Sequence, residues 1–266
     1  MKSNSEYFDI NRANWDESTD IHLAGSDWYP IEDFKKGKCA LRALELDEVG
    51  DVTGKSMLHL QCHFGMDTLS WARRGAHVTG VDFSEKAIAA AKALSRETGV
   101  DARFVCCNVY DLLEHLDGKF DIVYTSYGVL YWLPDLRSWA QIVSSFLKEG
   151  GLFYIADGHP FVNGCINEDG DAPRLEGDYF ALGQAKWEEP DFDYANTEVK
   201  QSIPEYGWRH TVGEVINSLI EAGLRLCHFN EFPSFDVVQS KDGQWRAAGP
   251  SSPYPKMFSL KAIKDR

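Results

Sequence analysis

Apolar runs alternate with helix-like segments along the middle of the chain. The runs predicted to be buried strands are residues 57–61, 77–82, 102–107, 120–125 and 151–156. An apolar stripe predicts a helix over 85–97 with Ser84 as its N-cap, and a second helix is expected over 135–148. This alternation indicates a parallel sheet with helices on both faces.

The segments outside this pattern are less regular. Residues 1–50 carry several aromatic side chains and a helix-like stretch before Gly50, which predicts an N-terminal helical extension. Residues 157–209 combine Gly, Pro and acidic residues with many aromatic residues. A long segment of this composition is more typical of a folded cap than of disorder.

The strand and helix pattern resumes near the C-terminus. Thr211 and Glu214 form a capping box that predicts a helix. Two later strands, at 224–232 and 257–263, are expected to pair as an antiparallel edge. We therefore predict a doubly wound α/β fold with a mainly parallel seven-stranded sheet, an antiparallel edge strand and an inserted cap. Residues 51–266 would form this domain.

Charge and cysteine content narrow the classes of partner. The formal net charge is −14 and the basic residues form no cluster, which argues against nucleic acid as a partner. No apolar run approaches the length of a membrane span, and residues 1–6 are polar, so we expect no membrane association and no export. Six cysteines without a C-x-x-C pair fit reduced thiols in a cytoplasmic protein. A small-molecule substrate is expected, and the oligomeric state is left open.

Residues 57–82 predict strand, tight loop, helix, strand and a final carboxylate. Asp82 lies 21 residues after Gln61, near the spacing of about 20 that separates a phosphate-type loop from a ribose-binding carboxylate. A carboxylate there can accept hydrogen bonds from both ribose hydroxyls. The alternative is a turn or cap residue, although Ser84 is already available as the cap.

The order of several motifs resembles that of class I S-adenosylmethionine-dependent methyltransferases. The matching segments are 58–65, 80–84, 104–111, 120–127, 129–135 and 147–153. They correspond to the family's first motif, the acidic turn after the second strand, the adenine loop, the fourth strand with its turn, and the turn into the fifth strand. The resemblance implies S-adenosylmethionine as the cofactor.

The first motif departs from the family pattern. His59 stands where an acid is common, and Gln61 and His63 replace glycines. We expect non-glycine residues to serve there if their φ angles stay negative. By resemblance, His59 would orient the loop, Gln61 and His63 would donate to the cofactor carboxylate, and Cys62 and Gly65 would complete the loop.

The resemblance places further residues around the cofactor. Phe83 would stack beside the adenine, Asn108 would accept from its amino group, and the Val109 N–H would donate to a ring nitrogen. Tyr127 would form the floor of the methionine pocket, and Tyr29 would belong to an N-terminal lid. The other lid candidates are Tyr7, Trp15 and His22. Core packing is the alternative for each aromatic residue.

Three residues are candidates for a catalytic base. Asp157 and His159 follow the fifth strand, where the family's substrate site lies, and His210 is a second histidine. Each has an alternative as a turn or cap residue. A zinc site at His59, Cys62 and His63 is not expected, because three ligands within five residues of strand and tight loop converge poorly.

The predicted function is direct displacement of a methyl group from S-adenosylmethionine to a small molecule. The alternatives are a non-catalytic module that binds S-adenosylmethionine or S-adenosylhomocysteine, and an NAD-type dehydrogenase. The absence of G-x-G-x-x-G after the first strand argues against the dehydrogenase.

Overall fold

The computed structural model describes residues 4–26, 28–167 and 173–265. Its α-helices are α1 (Asn4–Leu23), α2 (Ile31–Lys35), α3 (Ala43–Val49), α4 (Met66–Arg73), α5 (Glu85–Thr98), α6 (Leu112–His115), α7 (Leu136–Phe146), α8 (Pro160–Cys165) and α9 (Val212–Glu221). Short 3-10 helices span Val109–Asp111 and Leu130–Trp132. The expectations for residues 1–3, and for residues 168–172 of the cap, lie outside the described residues.

The strands are β1 (Ser56–Leu60), β2 (His77–Asp82), β3 (Arg103–Cys106), β4 (Phe120–Ser126), β5 (Leu147–Gly158), β6 (Ile166–Asn167), β7 (Arg174–Leu175), β8 (Ala185–Glu188), β9 (Glu205–Trp208), β10 (Leu224–Phe232), β11 (Val237–Gln239), β12 (Trp245–Ala247) and β13 (Met257–Lys264). Seven of them form one sheet in the order β10-β13-β5-β4-β1-β2-β3. β13 runs antiparallel to both β10 and β5, whereas β1–β2, β2–β3 and β4–β5 are parallel pairs. The predicted fold class is confirmed.

Local signals place the helix starts correctly. Ser84 Oγ accepts the N–H of Ala87 at 3.0 Å and caps α5. Thr211 Oγ1 accepts the N–H of Glu214 at 3.0 Å and caps α9. β5 begins at Leu147, four residues before the predicted strand, because the turn at Gly150 is part of the strand.

The chain divides into two compact units. Unit 1 comprises residues 1–41, 52–118 and 186–207, and unit 2 comprises residues 42–51, 119–185 and 208–266. Each unit has its own apolar cluster. The cluster of unit 1 contains Phe104 and residues of α4 and α5. That of unit 2 contains Leu44, Phe232 and Met257.

Helix α1 is held in unit 1 by polar contacts. The Asn11 amide donates to the Tyr206 carbonyl and accepts the Tyr206 N–H, both at 2.8 Å. Asn14 donates to the Ile203 carbonyl at 2.8 Å, and Gln201 donates to Ser18 Oγ at 2.8 Å. These side chains are buried polar groups that find partners, so the helix has a buried face without an apolar stripe.

Helix α3 carries two buried glutamates in unit 2. Glu45 accepts the Tyr124 hydroxyl, and Glu48 accepts the Tyr154 hydroxyl at 2.9 Å. Ser259 also donates to Glu48, at 3.0 Å. The glutamates therefore fasten α3 to strands β4, β5 and β13 through hydrogen bonds that reduce the cost of burying their charge. Within the described ranges, no helix combines the length and apolar character needed to cross a membrane.

We predict that Gly80→Ala destabilises unit 1 by about 1–3 kcal/mol, the usual cost of overpacking a core. A Cβ at Gly80 would lie 2.9 Å from Cys62 Sγ and 3.0 Å from Phe104 Cδ1. The matched control is Gly213→Ala in α9, where the nearest atom would be Thr211 Oγ1 at 3.7 Å. The control should be neutral or slightly stabilising. Urea unfolding of both variants measures the difference, and equal stability would contradict the predicted clash.

Candidate functional site

The loop after β1 adopts a left-handed backbone at two non-glycine residues. Gln61 has φ +56° and His63 has φ +50°, and Gly65 follows with φ +77°. The condition stated from the sequence, that non-glycine residues serve here if their φ angles stay negative, is therefore not met at Gln61 and His63. A left-handed residue with a Cβ costs roughly 1–2 kcal/mol, so contacts elsewhere must hold this loop.

The Asp82 carboxylate supplies one of those contacts. Its Oδ2 accepts the His63 N–H at 2.8 Å, and its Oδ1 accepts the Ser84 N–H at 2.9 Å. The side chain is buried at the carboxyl end of β2. Burial raises the pKa of Asp82 to about 6, and the backbone donors oppose the shift. The site therefore contains an oriented carboxylate whose oxygens can each take a further donor.

His59 and Cys62 face the core beneath the loop. His59 Nδ1 lies 2.8 Å from Thr68 Oγ1 on α4, and burial lowers the pKa of the ring to about 3. Cys62 belongs to the apolar cluster of unit 1, and burial raises the pKa of its thiol. Both side chains support the loop from its buried side.

The carboxyl ends of β2 and β3 bring several predicted residues together. The Cys107 N–H donates to the Asp82 carbonyl at 3.0 Å, which fixes the two strand ends side by side. Asn108 Oδ1 accepts the Tyr110 N–H at 3.1 Å and caps the 3-10 helix that contains buried Val109. Phe83 is half-buried directly after Asp82. This edge collects the predicted adenine and ribose residues of unit 1.

A chain of polar side chains leads away from His63. His63 Nε2 lies 2.9 Å from His22 Nδ1, and His22 Nε2 lies 3.1 Å from both carboxylate oxygens of Asp193. His22 and Asp193 are fully buried. Burial raises the pKa of Asp193, but the hydrogen bond and charge of His22 and two backbone donors outweigh it, so the net shift is downward.

Aromatic rings enclose this chain. Tyr29 stacks on His22 with ring centres 4.6 Å apart, and its hydroxyl contacts that of Tyr194. Trp15 meets the His63 ring edge-on at 5.1 Å. The structure thus places Trp15, His22 and Tyr29, three of the proposed lid residues, against the first-motif loop.

Sequence reasoning missed three contributors to this site. Asp193 and Tyr194 lie in an aromatic-rich segment that carries no motif. Asp16 on α1 accepts the Ser84 hydroxyl at 2.6 Å and the Lys86 N–H at 3.3 Å. A half-buried aspartate in a helix without an apolar stripe leaves no periodic signal, so spacing along the chain could not have found these contacts.

In unit 2, Asp157 accepts four backbone N–H groups. Its Oδ2 accepts from Val129 at 3.1 Å and Leu130 at 3.0 Å. Its Oδ1 accepts from Gly128 and from Gly158, the latter at 2.7 Å. Burial raises the pKa of Asp157, and the four donors act in the opposite direction. These contacts pin the loop after β4.

The two histidine candidates are also engaged. His159 Nδ1 accepts the Phe161 N–H at 3.1 Å and caps α8, while Nε2 lies 2.9 Å from Glu231. Burial lowers the pKa of His159, with Glu231 opposing the shift. His210 Nε2 lies 2.8 Å from the Leu133 carbonyl and Nδ1 lies 3.0 Å from a Glu214 oxygen. A pocket nearby is lined by Leu130, Tyr131, Gly158, Pro160, Trp208, Arg209 and His210.

Tyr127 is the third left-handed non-glycine residue, with φ +44°. Its hydroxyl donates to Glu45 at 3.1 Å, and the Arg42 guanidinium lies 4.5 Å from its ring centre. These contacts hold the ring in unit 2. Across residues 4–26, 28–167 and 173–265, no group of three His, Cys, Asp or Glu side chains is arranged to hold a metal ion.

The comparisons with known proteins agree with this architecture. Residues 57–151 match a family model described as a methyltransferase domain. The match spans β1 to the start of β5 and includes Asp82, which confirms the resemblance stated from the sequence.

The chain is also similar in sequence to named methyltransferases. A ubiquinone biosynthesis O-methyltransferase from Chromobacterium violaceum is 34% identical over 116 residues, which cover 44% of this chain and 50% of that protein. One from Marinobacter nauticus is 33% identical over 139 residues, covering 50% and 58%. The chain thus spans little more than half the length of these relatives.

Solved structures show the same fold. An S-adenosylmethionine-dependent methyltransferase from Mesorhizobium loti aligns with a TM-score of 0.61 at 22% identity, over 86% of this chain and 99% of that one. One from Clostridium acetobutylicum aligns with a TM-score of 0.56 at 16% identity, over 92% and 95%.

We predict that His59 makes folding stability fall as the pH drops. Its folded pKa of about 3 lies below the ordinary value of about 6.5. The unfolded state therefore binds more protons below pH 6.5, and stability is lost from there towards pH 3. His59→Gln keeps a partner for Thr68 without titrating. Between pH 7.5 and 5.5, urea unfolding should show the wild type losing about 1 kcal/mol more than the variant; parallel losses would contradict this.

Proposed function

We propose that the protein transfers a methyl group from S-adenosylmethionine to a small molecule. The observation that carries the proposal is the buried Asp82 carboxylate, oriented by two backbone donors at the end of β2 within the methyltransferase domain. An acceptor pair of this kind fits a ribose diol. His63, whose backbone N–H donates to Asp82, has a buried Nδ1 atom without a hydrogen-bond partner among the described residues, which also fits a polar ligand.

The residues of unit 1 would divide the work of holding the cofactor. Asp82 would bind the ribose, Asn108, Val109 and Phe83 would meet the adenine, and the loop at 61–65 would meet the methionine part. The cofactor supplies the activated methyl group when bound, and the protein supplies alignment and the path for any proton that leaves. Tyr29, together with Trp15 and His22 of α1, would cover the loop.

We also propose that Asp157, His159 and His210 shape the loops of unit 2 rather than accept a proton. Four backbone donors saturate the Asp157 carboxylate. His159 spends one ring nitrogen on capping α8 and faces Glu231 with the other. Both ring nitrogens of His210 face acceptors. A base needs a lone pair directed at its substrate, and these contacts supply none.

The acceptor is proposed to carry a hydroxyl group. Two relatives that match in sequence are named ubiquinone biosynthesis O-methyltransferases, and the negative net charge favours a neutral or cationic molecule. We further propose a cytoplasmic setting, because all six cysteines are free thiols.

We predict that Asp82→Asn weakens S-adenosylhomocysteine binding by at least about tenfold, as expected for losing hydrogen bonds to a charged acceptor. Because the pKa of Asp82 is raised to about 6, wild-type affinity should fall as the pH drops below 6, whereas the variant should show a flat profile. Calorimetry from pH 5 to 8 measures both.

The matched control is Asp135→Asn, which changes an aspartate that caps α7 in unit 2. Its S-adenosylhomocysteine affinity should equal that of the wild type. NAD titrated in parallel should not bind. A wild type that binds NAD, or that binds neither S-adenosylmethionine nor S-adenosylhomocysteine, would refute the proposed function.

A turnover assay separates an enzyme from a non-catalytic binding module. We expect S-adenosylhomocysteine to accumulate when the protein is given S-adenosylmethionine and a panel of phenols. Tight binding of the cofactor with no product from phenols, other alcohols or amines would favour the binding module.

A further inference from the structure

One ring nitrogen in unit 1 stands out because it is buried and unpaired. The Nδ1 atom of His63 is shielded from solvent, yet it makes no hydrogen bond to any of the described residues. The opposite nitrogen, Nε2, lies 2.9 Å from His22. An unpaired buried polar atom costs about 1–3 kcal/mol in general, so such an atom in a native protein calls for an explanation, and a chemical role or a bound group is one.

The partners of His22 determine which nitrogen of His63 carries the hydrogen. Asp193 can only accept when it is ionised, so His22 Nε2 must donate to it. In a neutral His22, Nδ1 is then an acceptor, and His63 Nε2 must donate to Nδ1. His63 Nδ1 is left with a free lone pair. The buried Asp193 carboxylate thus fixes the tautomer of His63 through His22, which lies between them.

We propose that Nδ1 of His63 is the base that takes the proton from the acceptor hydroxyl, with His22 and Asp193 as positioning residues. This inference rests on the proposed function and names the proton path for that same site. In a carboxylate–histidine pair, the carboxylate holds the ring in the tautomer that can accept a proton from the substrate. Here a second histidine extends the pair by one member.

The proton balance of the step is complete within these three side chains. The hydroxyl oxygen forms its bond to the methyl carbon as the carbon–sulfur bond breaks and its electron pair passes to sulfur. The hydroxyl proton moves to His63 Nδ1. The hydrogen on His63 Nε2 moves to His22 Nδ1, and His22 keeps its bond to Asp193. The positive charge ends on His22 beside the Asp193 carboxylate.

The surroundings favour this direction of transfer. Burial, the largest cause, lowers the pKa of His63, so its lone pair is available at neutral pH. A charge on His22 faces Asp193, which is already held by the N–H of Ala195 at 2.8 Å. The rings of Trp15 and Tyr29 lie 5.1 and 5.5 Å from that of His63 and restrict access of water.

The first test reads the tautomer directly. Nitrogen-15 NMR of the histidine rings, on full-length protein loaded with S-adenosylhomocysteine, should show His63 with hydrogen on Nε2 and an unprotonated Nδ1. His22→Asn and Asp193→Asn should each produce a mixture of the two His63 tautomers. A purely structural role for Asp193 would leave the tautomer unchanged. A hydrogen on Nδ1 in the loaded wild type would overturn the proposal.

The second test uses sinefungin, an analogue with an amine in place of the methyl sulfonium. Its ammonium can donate towards a base beside the transferred methyl. Calorimetry should show wild-type protein binding sinefungin about tenfold more tightly than S-adenosylhomocysteine, the effect of one charge-assisted hydrogen bond. Asn tolerates left-handed φ, so His63→Asn should keep the backbone of the loop. This variant should bind both ligands equally.

The control for that comparison is His77→Gln, an exposed histidine at the start of β2 that should keep the tenfold preference. If His63→Asn weakens both ligands equally, His63 binds the part they share, and its role as base is refuted. If wild-type protein does not bind S-adenosylhomocysteine at all, the proposed function itself fails, so the two failures are distinguishable.

Discussion

The hydrogen bond from the His63 N–H to the Asp82 carboxylate is the contact on which the candidate site depends. It joins a loop in an unfavourable backbone conformation to the end of a buried strand. The same carboxylate accepts the Ser84 N–H where α5 begins. The carboxylate therefore sets the positions of the loop and of the helix together. Its raised pKa reflects the cost of burial that these donors only partly offset.

Polar contacts give α1 its place in unit 1. Asn11, Asn14 and Asp16 use directional hydrogen bonds to backbone or hydroxyl groups, so they specify one register of the helix. An apolar stripe would bury more area but would tolerate sliding. These contacts place His22 beside the first-motif loop, where one ring nitrogen faces His63 and the other faces Asp193. Because water can replace these hydrogen bonds, they do not prevent α1 from moving away from the loop when a ligand binds.

In unit 2, the contacts of the three candidate bases differ from what their positions in the sequence suggested. Sequence reasoning selected Asp157, His159 and His210 because they follow strands or occupy turn positions near the expected substrate side. Their partners turn out to be backbone donors, a glutamate and a carbonyl. Glu45, which the sequence did not suggest, holds Tyr127 in its left-handed conformation. Spacing along the chain indicates where a side chain lies but not which hydrogen bonds it makes.

The sequence by itself determined the order of strands and helices, the caps at Ser84 and Thr211, and the position of Asp82 at the end of β2. Those features depend on period and on neighbours within a few residues, which any single sequence displays. The tertiary structure decided the positive φ of Gln61 and His63 and the partners of His22. His22 meets His63 across 41 residues and Asp193 across 171, and no local pattern encodes a pairing at that separation.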